Sequence, residues 1–149
     1  MKGIWFYGLS GSGKTFASKY LSKKIKKSLV LDGDIVRKFI SYDLGYTIQD
    51  RKEQIRRVFG IAQLVISLGY FPIVSTVYMN KPILKKAKKS SIKIVTIFRD
   101  FNQIKNKGIY YKKIANVIGK DIKMPRLKTY KIINTGCQYF QKTLKSLII

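Results

Sequence analysis

The sequence predicts an α/β protein built on a five-stranded parallel sheet with helices on both faces. Five short apolar runs, each of the length typical of a buried strand, alternate with segments whose apolar residues recur at helical intervals. Alternation of this kind favours right-handed crossovers and a sheet covered on both sides. The predicted strands cover residues 4–7, 28–31, 71–77, 92–98 and 130–134.

The segments between these runs predict the helices. They cover residues 16–25, 35–40, 49–68, 82–89 and 110–117, and a closing helix follows Gly136. The long third helix has an apolar stripe through Ile55 and Ala62, which leaves Arg51 on another face. Cys137 begins the apolar stripe of the closing helix, so we expect it in the core. Residues 41–47 and 119–129 are predicted loops, the second a candidate lid.

Length and composition indicate one globular domain over residues 1–149. Apolar residues make up 46% of the chain, but they form no run of membrane-spanning length, and the chain begins with a strand instead of a leader. We therefore expect a cytoplasmic protein with no membrane partner. The chain has no histidine and one cysteine, which argues against a Cys/His zinc site and an internal disulfide.

The charge is strongly basic. Lysine and arginine total 31 against 7 acidic residues, a formal net charge of +24. Most are lysines in runs that are typical of solvated helix faces, and the chain carries no RNA-recognition signature. We expect salt-sensitive adhesion to polyanions but no specific nucleic-acid partner. Five of the seven acids fall between residues 32 and 53, and this crowding predicts a site: Asp32, Asp34, Asp43, Asp50 and Glu53.

Residues 8–15 read Gly-Leu-Ser-Gly-Ser-Gly-Lys-Thr and fit the phosphate-binding pattern G-x-x-x-x-G-K-[ST] between a predicted strand and a helix. The glycines let successive N–H groups point into one cavity, and the helix adds its positive end. Lys14 is expected to reach the β- and γ-phosphates and Thr15 to bind Mg²⁺. This predicts a P-loop NTPase-type sheet. The predicted nucleotide-binding residues are Gly8, Ser10, Gly11, Ser12, Gly13, Lys14 and Thr15.

A second motif, Asp32-Gly33-Asp34, follows the second strand. Ligands of open parallel sheets lie at the carboxyl ends of the strands, so this motif should face the phosphate loop. Asp32 has two possible roles at this stage: it caps the next helix, or it supports Asp34 or the water shell of the metal.

Several segments, in order, resemble the adenylylsulfate kinase family. They are residues 8–15, 31–37, 43–46, 50–57 and 107–110, followed by 116–121 and 133–136, which resemble the family's lid and last strand with a few residues deleted. The resemblance implies a P-loop kinase that uses MgATP to phosphorylate the ribose 3′-hydroxyl of adenosine 5′-phosphosulfate. It also implies a homodimer.

The resemblance implies a role for each matching residue. Asp34 would be the base or would orient the hydroxyl, with Lys14 as the other catalytic residue, and Asp32 would hold the metal through water. Arg37 and Arg51 would bind the anionic 5′ side of the acceptor, and Tyr46 would pack on its base. The predicted acceptor-binding residues are Asp34, Arg37, Tyr46, Arg51, Gln54, Val77, Tyr78, Lys107 and Val117.

The chain departs from the family where bases are recognised. Gln54 replaces an asparagine, Tyr78 a serine, and Val117 a lid phenylalanine, while Ile104 and Lys105 replace an arginine-aspartate pair at the adenine. The reaction type is therefore better supported than the acceptor. Another nucleotide acceptor, such as a cytidine diphosphoramidate used in capsule decoration, stays open. So do a nucleotide-gated polyanion-binding protein and a kinase fold without activity.

Overall fold

The computed structural model describes residues 1–105 and 108–148. Its core is one parallel sheet in the order β2-β3-β1-β4-β5. The strands are β1 (Gly3–Tyr7), β2 (Ser28–Asp32), β3 (Phe71–Thr76), β4 (Ile92–Phe98) and β5 (Tyr130–Ile133). The predicted fold class is confirmed.

Helices cover both faces of this sheet. They are α1 (Lys14–Ser22), α2 (Gly33–Phe39), α3 (Ile48–Ser67), α4 (Lys81–Lys89) and α5 (Cys137–Lys145), with single 3₁₀ turns at Phe101–Gln103 and Gly108–Tyr110. Leu21 of α1 and Phe140 of α5 pack with Phe6 on one face, and Val58 of α3 packs with Trp5 on the other. No helix in the described part of the chain is long and apolar enough to cross a membrane.

The central strand β1 decides where ligands can bind. It pairs with β3 on one side and β4 on the other, so that Trp5 is in register with both Val74 and Ile94. Because the chain winds away from β1 in two directions, a crevice forms beyond its carboxyl end. The phosphate loop follows Tyr7 at this position.

Four local predictions are wrong. β2 is an edge strand paired with β3 alone, which leaves Leu29 46% exposed where a buried strand was predicted. Residues 110–117 form no helix beyond the 3₁₀ turn, because Tyr110 and Val117 both turn into one small apolar cluster. Cys137 is exposed, since it opens α5 one turn before the helix reaches the core at Phe140. Arg51 is buried, for reasons given below.

Three of the five crowded acids have structural roles. Asp50 belongs to a capping box with Thr47 that begins α3. Asp43 and Glu53 form ion pairs with Arg57, and Glu53 also pairs with Arg56. The hydrogen bonds that Glu53 accepts from Arg56 and Arg57 lower its pKa to about 2. The sequence therefore predicted too many acids in the site. Of the five, Asp32 and Asp34 remain as candidate site residues.

Replacing Thr47 with alanine should lower the free energy of unfolding by about 1 kcal/mol, because α3 loses a hydrogen-bonded N-cap. The Thr47 hydroxyl accepts a hydrogen bond from the Asp50 N–H at 3.2 Å. Urea unfolding measures the change. Thr143→Ala is the matched control, since its hydroxyl bonds a carbonyl inside α5 and caps nothing. Equal losses in the two variants would contradict the assigned cap.

Candidate functional site

The phosphate loop occupies residues 8–13, between β1 and α1. Its geometry needs glycine at two positions. A side chain at Gly8 would clash with the carbonyl oxygen of Ile97 on β4, and Gly13 has a φ of 107°. The amide of Asn134, just after β5, donates to the Ser12 carbonyl oxygen at 2.9 Å and ties the loop to the sheet. The loop is thus held open in front of the N-terminus of α1, where anions bind favourably.

Lys14 is the cation of this loop. Its ammonium group donates to the Leu9 carbonyl oxygen at 2.8 Å, across the loop, and the side chain is 8% exposed. Burial lowers the pKa of Lys14 from 10.5 to about 8, and the charges of Asp34 and Asp32 oppose that shift. The loop therefore holds a lysine that loses charge more easily than an exposed one and regains it when an anion approaches.

Asp32 joins the phosphate loop to the neighbouring strands. One of its carboxylate oxygens accepts a hydrogen bond from the Asp34 N–H at 2.9 Å and caps α2. The other accepts from Ser75 of β3 at 3.0 Å and from Thr15 at 3.4 Å. Both roles considered for Asp32 are therefore compatible, because each uses a different oxygen.

Two arginines flank Tyr46 on the opposite side of the cavity. The guanidinium carbon of Arg37 lies 4.6 Å from the ring centre of Tyr46, and that of Arg51 lies 5.6 Å away. Arg51 donates to the Tyr46 carbonyl at 3.1 Å and to the Asn116 carbonyl at 2.6 Å, contacts that allow its burial on α3. Arg37 donates to the Gly45 carbonyl at 2.5 Å. These contacts hold the loop after α2 against the cavity.

The electrostatics of this side favour an anionic ligand. Burial lowers the pKa of Arg51, and the nearby positive charge of Arg37 lowers it further. Two guanidinium groups this close repel each other, and an anion with oxygens on more than one side relieves that repulsion. Planar guanidinium groups match sulfate and phosphate oxygens well.

Gln54 and Tyr78 line the floor of the cavity. The Gln54 amide donates to the Gly33 carbonyl at 3.0 Å, while its Oε1 atom is buried and has no hydrogen-bond partner among the described residues. Burial raises the pKa of Tyr78, whose ring is 7% exposed. Its carbonyl accepts from the Thr76 hydroxyl at 2.9 Å, which fixes the backbone beside Val77.

One cavity of about 280 Å³ brings most of the predicted site residues together. The predicted residues that line it are Ser10, Gly11, Gly13, Lys14, Thr15, Asp32, Asp34, Arg37, Tyr46, Arg51, Gln54, Val77 and Tyr78. Gly8 and Ser12 are buried within the loop behind them. The binding roles of these residues stay predictions.

Two predicted acceptor residues, Val117 and Lys107, need separate mention. The Val117 side chain is 2% exposed and packs with Ile104 and Tyr110, so it does not reach the acceptor side. A short β-branched side chain fits this apolar cluster, and the structure thereby corrects the prediction. Lys107 lies outside the described residues.

Three residues that contact the site were not among the predicted site residues. Ser75 holds Asp32, Asn134 holds the phosphate loop, and Arg99 donates to the Gly11 carbonyl at 3.4 Å. Each lies at or just after the carboxyl end of a strand. That position is the one signal in the sequence that could have identified them.

The fold and this cavity define a P-loop kinase type of nucleotide-binding protein: a phosphate loop before α1, a carboxylate beside it, and an anion site opposite. Comparison with known proteins narrows the class. The chain belongs to the adenylylsulphate kinase family, whose model matches residues 2–121. The family resemblance found in the sequence is confirmed.

Individual relatives agree with this assignment. An adenylyl-sulfate kinase of Synechococcus sp. (strain JA-3-3Ab) is 31% identical over 124 residues, which cover 77% of this chain and 70% of that protein. A bifunctional enzyme CysN/CysC of Xylella fastidiosa is 32% identical over 128 residues, which cover 78% of this chain and 20% of that protein. The chain therefore spans about a fifth of the length of such bifunctional relatives.

A solved structure extends the likeness to nearly the whole chain. The APS kinase CysC of Mycobacterium tuberculosis, in complex with AMPPNP and APS, superposes with a TM-score of 0.84 at 27% identity. The match covers 99% of this chain and 95% of that one. A gluconokinase from Sinorhizobium meliloti 1021 shares the fold alone, with a TM-score of 0.66 at 13% identity.

Proposed function

We propose that this protein transfers the γ-phosphoryl group of ATP to the ribose 3′-hydroxyl of adenosine 5′-phosphosulfate. The observation that carries the proposal is the single cavity that joins the phosphate loop, Asp34 and the Arg37–Tyr46–Arg51 group. A donor with a triphosphate and an acceptor with an anionic 5′ group and an aromatic base fit the two sides of that cavity. ATP is plentiful in the cytoplasm, where we expect the protein to act.

The residues between the two sides suit a magnesium-dependent reaction. Thr15 and Asp32 present a hydroxyl and a carboxylate oxygen 3.4 Å apart, and Mg²⁺ prefers oxygen ligands of this kind. Across residues 1–105 and 108–148, no three His, Cys, Asp or Glu side chains come together as a metal cage. A magnesium ion held by few protein ligands and by substrate phosphates is the usual arrangement for kinases. When bound, the ion neutralises charge on the phosphates.

Each side chain then has a defined task in the transfer. The acceptor's 3′-oxygen forms a bond to the γ-phosphorus as the bond to the bridging oxygen of ADP breaks. Asp34 accepts the proton that the hydroxyl releases. Lys14 neutralises the charge on the phosphate oxygens, which is the main demand of this reaction on the protein. Arg37 and Arg51 hold the acceptor so that its hydroxyl faces the donor.

The acceptor's base is the least constrained part of the proposal. Tyr46 supplies one aromatic wall at 51% exposure, and Val117 does not supply a second. Tyr78 narrows the floor where the family has a serine, and the free Gln54 Oε1 accepts a hydrogen bond from an amino or hydroxyl group. These three positions leave a second candidate, in which the same transfer acts on a cytidine nucleotide. The homodimer implied by the family resemblance stays a prediction.

An acceptor panel tests both candidates. The protein is incubated with MgATP and the 5′-phosphosulfates of adenosine, guanosine and cytidine, together with a cytidine diphosphate derivative, and the 3′-phosphate is detected by mass spectrometry. We expect adenosine 5′-phosphosulfate to have a kcat/KM about tenfold or more above the others. Preference for a cytidine acceptor would support the second candidate. If no acceptor gains a 3′-phosphate, the proposed activity is wrong.

A further inference from the structure

The fold separates the charges of this chain. All seven side-chain carboxylates lie at or beyond the carboxyl ends of the strands, in the loops there, or in the first two turns of α2 and α3. The opposite side, here called the amino edge, consists of the strand starts and the ends of the helices that precede them. Among the residues that the structure describes, it carries lysines and no acidic side chain. No carboxylate therefore offsets the positive charge of the lysines at the amino edge.

A groove crosses this amino edge. Two open depressions of about 660 and 640 Å³ share Lys88, Ile92 and Lys93, and together they run from Phe71 past the start of β4 to Lys131. This amino-edge groove is lined by four lysines, Lys88, Lys93, Lys128 and Lys131, and by the ring of Tyr130.

The positions of these lysines do not follow from fold stability alone. Lysines in the last turns of α4 and α5 complement the helix dipoles. Lys93 and Lys131, however, lie on strands, and Lys93 lies inside the sheet on β4. Its ammonium group is 5.1 Å from the centre of the Tyr130 ring, which is 49% exposed. An exposed aromatic ring between lysines presents a stacking surface next to positive charge.

We propose that the amino-edge groove binds single-stranded nucleic acid without sequence preference, through the phosphate backbone and one base stacked on Tyr130. Proteins that bind single strands in this way combine a positively charged groove with aromatic stacking platforms. Lysine is depleted in protein–protein interfaces, which disfavours an acidic protein as the occupant. The groove is separate from the phosphate loop, so nucleotide and strand bind independently.

The test uses the full chain and a labelled oligothymidine of roughly 12 nucleotides, within the range that one such site covers. Fluorescence anisotropy gives the affinity at several salt concentrations between about 50 and 200 mM. Lys93→Gln combined with Lys131→Gln should weaken binding about tenfold or more. It should also reduce the slope of log K against log salt by about 1.4, since each lost phosphate contact contributes about 0.7.

The matched control removes the same charge elsewhere. Lys52→Gln with Lys123→Gln changes two exposed lysines outside the groove and should alter the affinity less than about twofold. Equal losses in the two double variants would overturn the proposal, because net charge alone would then explain the binding. Thermal unfolding of all variants checks that the fold is retained.

Stacking and independence from nucleotide are tested separately. Tyr130→Ser should weaken binding about fivefold or more, whereas Tyr139→Ser, at a ring that is 77% exposed on α5, should not. MgATP should leave strand binding unchanged. Displacement of the strand by MgATP would locate it at the phosphate loop instead and overturn the proposal. Competition by inorganic polyphosphate as strong as that by a strand of equal charge would overturn it too.

Discussion

Replacing Lys14 with methionine is expected to lower kcat/KM about 10³-fold or more. Lys14 is the buried cation of the phosphate loop, and phosphoryl transfer depends on charge neutralisation at the transferred group. Methionine keeps most of the length of the side chain and removes the charge. Steady-state kinetics with MgATP measures the loss, and Lys52→Met, at an exposed position on α3, is the control that should keep its activity.

The same variant should be more stable than the natural chain. Burial lowers the pKa of Lys14 from 10.5 to about 8, so the folded protein carries an unfavourable buried charge at pH 7. Its removal should raise the free energy of unfolding of the nucleotide-free protein by about 3 kcal/mol, since each unit of pKa shift corresponds to about 1.4 kcal/mol. Above pH 8 the folded lysine loses its proton before the unfolded one, so the difference from the variant shrinks and vanishes above about pH 10.5.

Urea unfolding between pH 7 and 10 tests this linkage, with each measurement compared with Lys52→Met at the same pH. A Lys14→Met protein that is less stable at pH 7 would refute the assigned burial cost.

Nucleotide binding should depend on the same titration of Lys14. As the pH rises above about 8, the free protein must take up a proton to bind ATP with a charged Lys14, so its affinity for ATP should fall.

Replacing Asp34 with asparagine should lower kcat about 10³-fold while the KM for ATP stays within about twofold. The carboxylate lines the cavity in the first turn of α2, between the phosphate loop and the arginines, and asparagine keeps its shape without accepting a proton. Single-turnover kinetics with ATP and the best acceptor separates the chemical step from binding.

Asp100→Asn is the matched control for Asp34→Asn. Asp100 also follows the carboxyl end of a strand, but it caps the 3₁₀ turn at Phe101–Gln103 and does not line the cavity. It should keep kcat within about twofold. A folded Asp34→Asn protein with unchanged kcat would remove Asp34 from the proposed role and leave positioning by Arg37 and Arg51 as the main contribution.

The acceptor side shows where local patterns mislead. The third helix has a regular apolar stripe, and we predicted Arg51 on another face, although it precedes Ile55 by four residues and therefore lies on the same helix face as the stripe. Arg51 can be buried because its guanidinium group donates hydrogen bonds to the carbonyl oxygens of Tyr46 and Asn116. Asn116 is 65 residues away from Arg51 in the sequence. The four-residue spacing to Ile55 could have predicted the burial of Arg51, whereas the contact with Asn116 leaves no trace in a local pattern. The same limit applies to Val117, whose partners come from a different segment.

The sequence by itself determined the fold class, the phosphate loop and the opposing Asp32-Gly33-Asp34 motif, because each depends on short-range chemistry: apolar periodicity, glycine spacing and a lysine at a defined position. Only the tertiary structure decided which of the crowded acids belong to the site, and which serve as a helix cap or as partners of Arg57. It also placed four lysines, Lys88, Lys93, Lys128 and Lys131, along one groove at the edge opposite the acids. Both outcomes depend on strand order and crossovers, which bring distant residues together and are not encoded in any one segment.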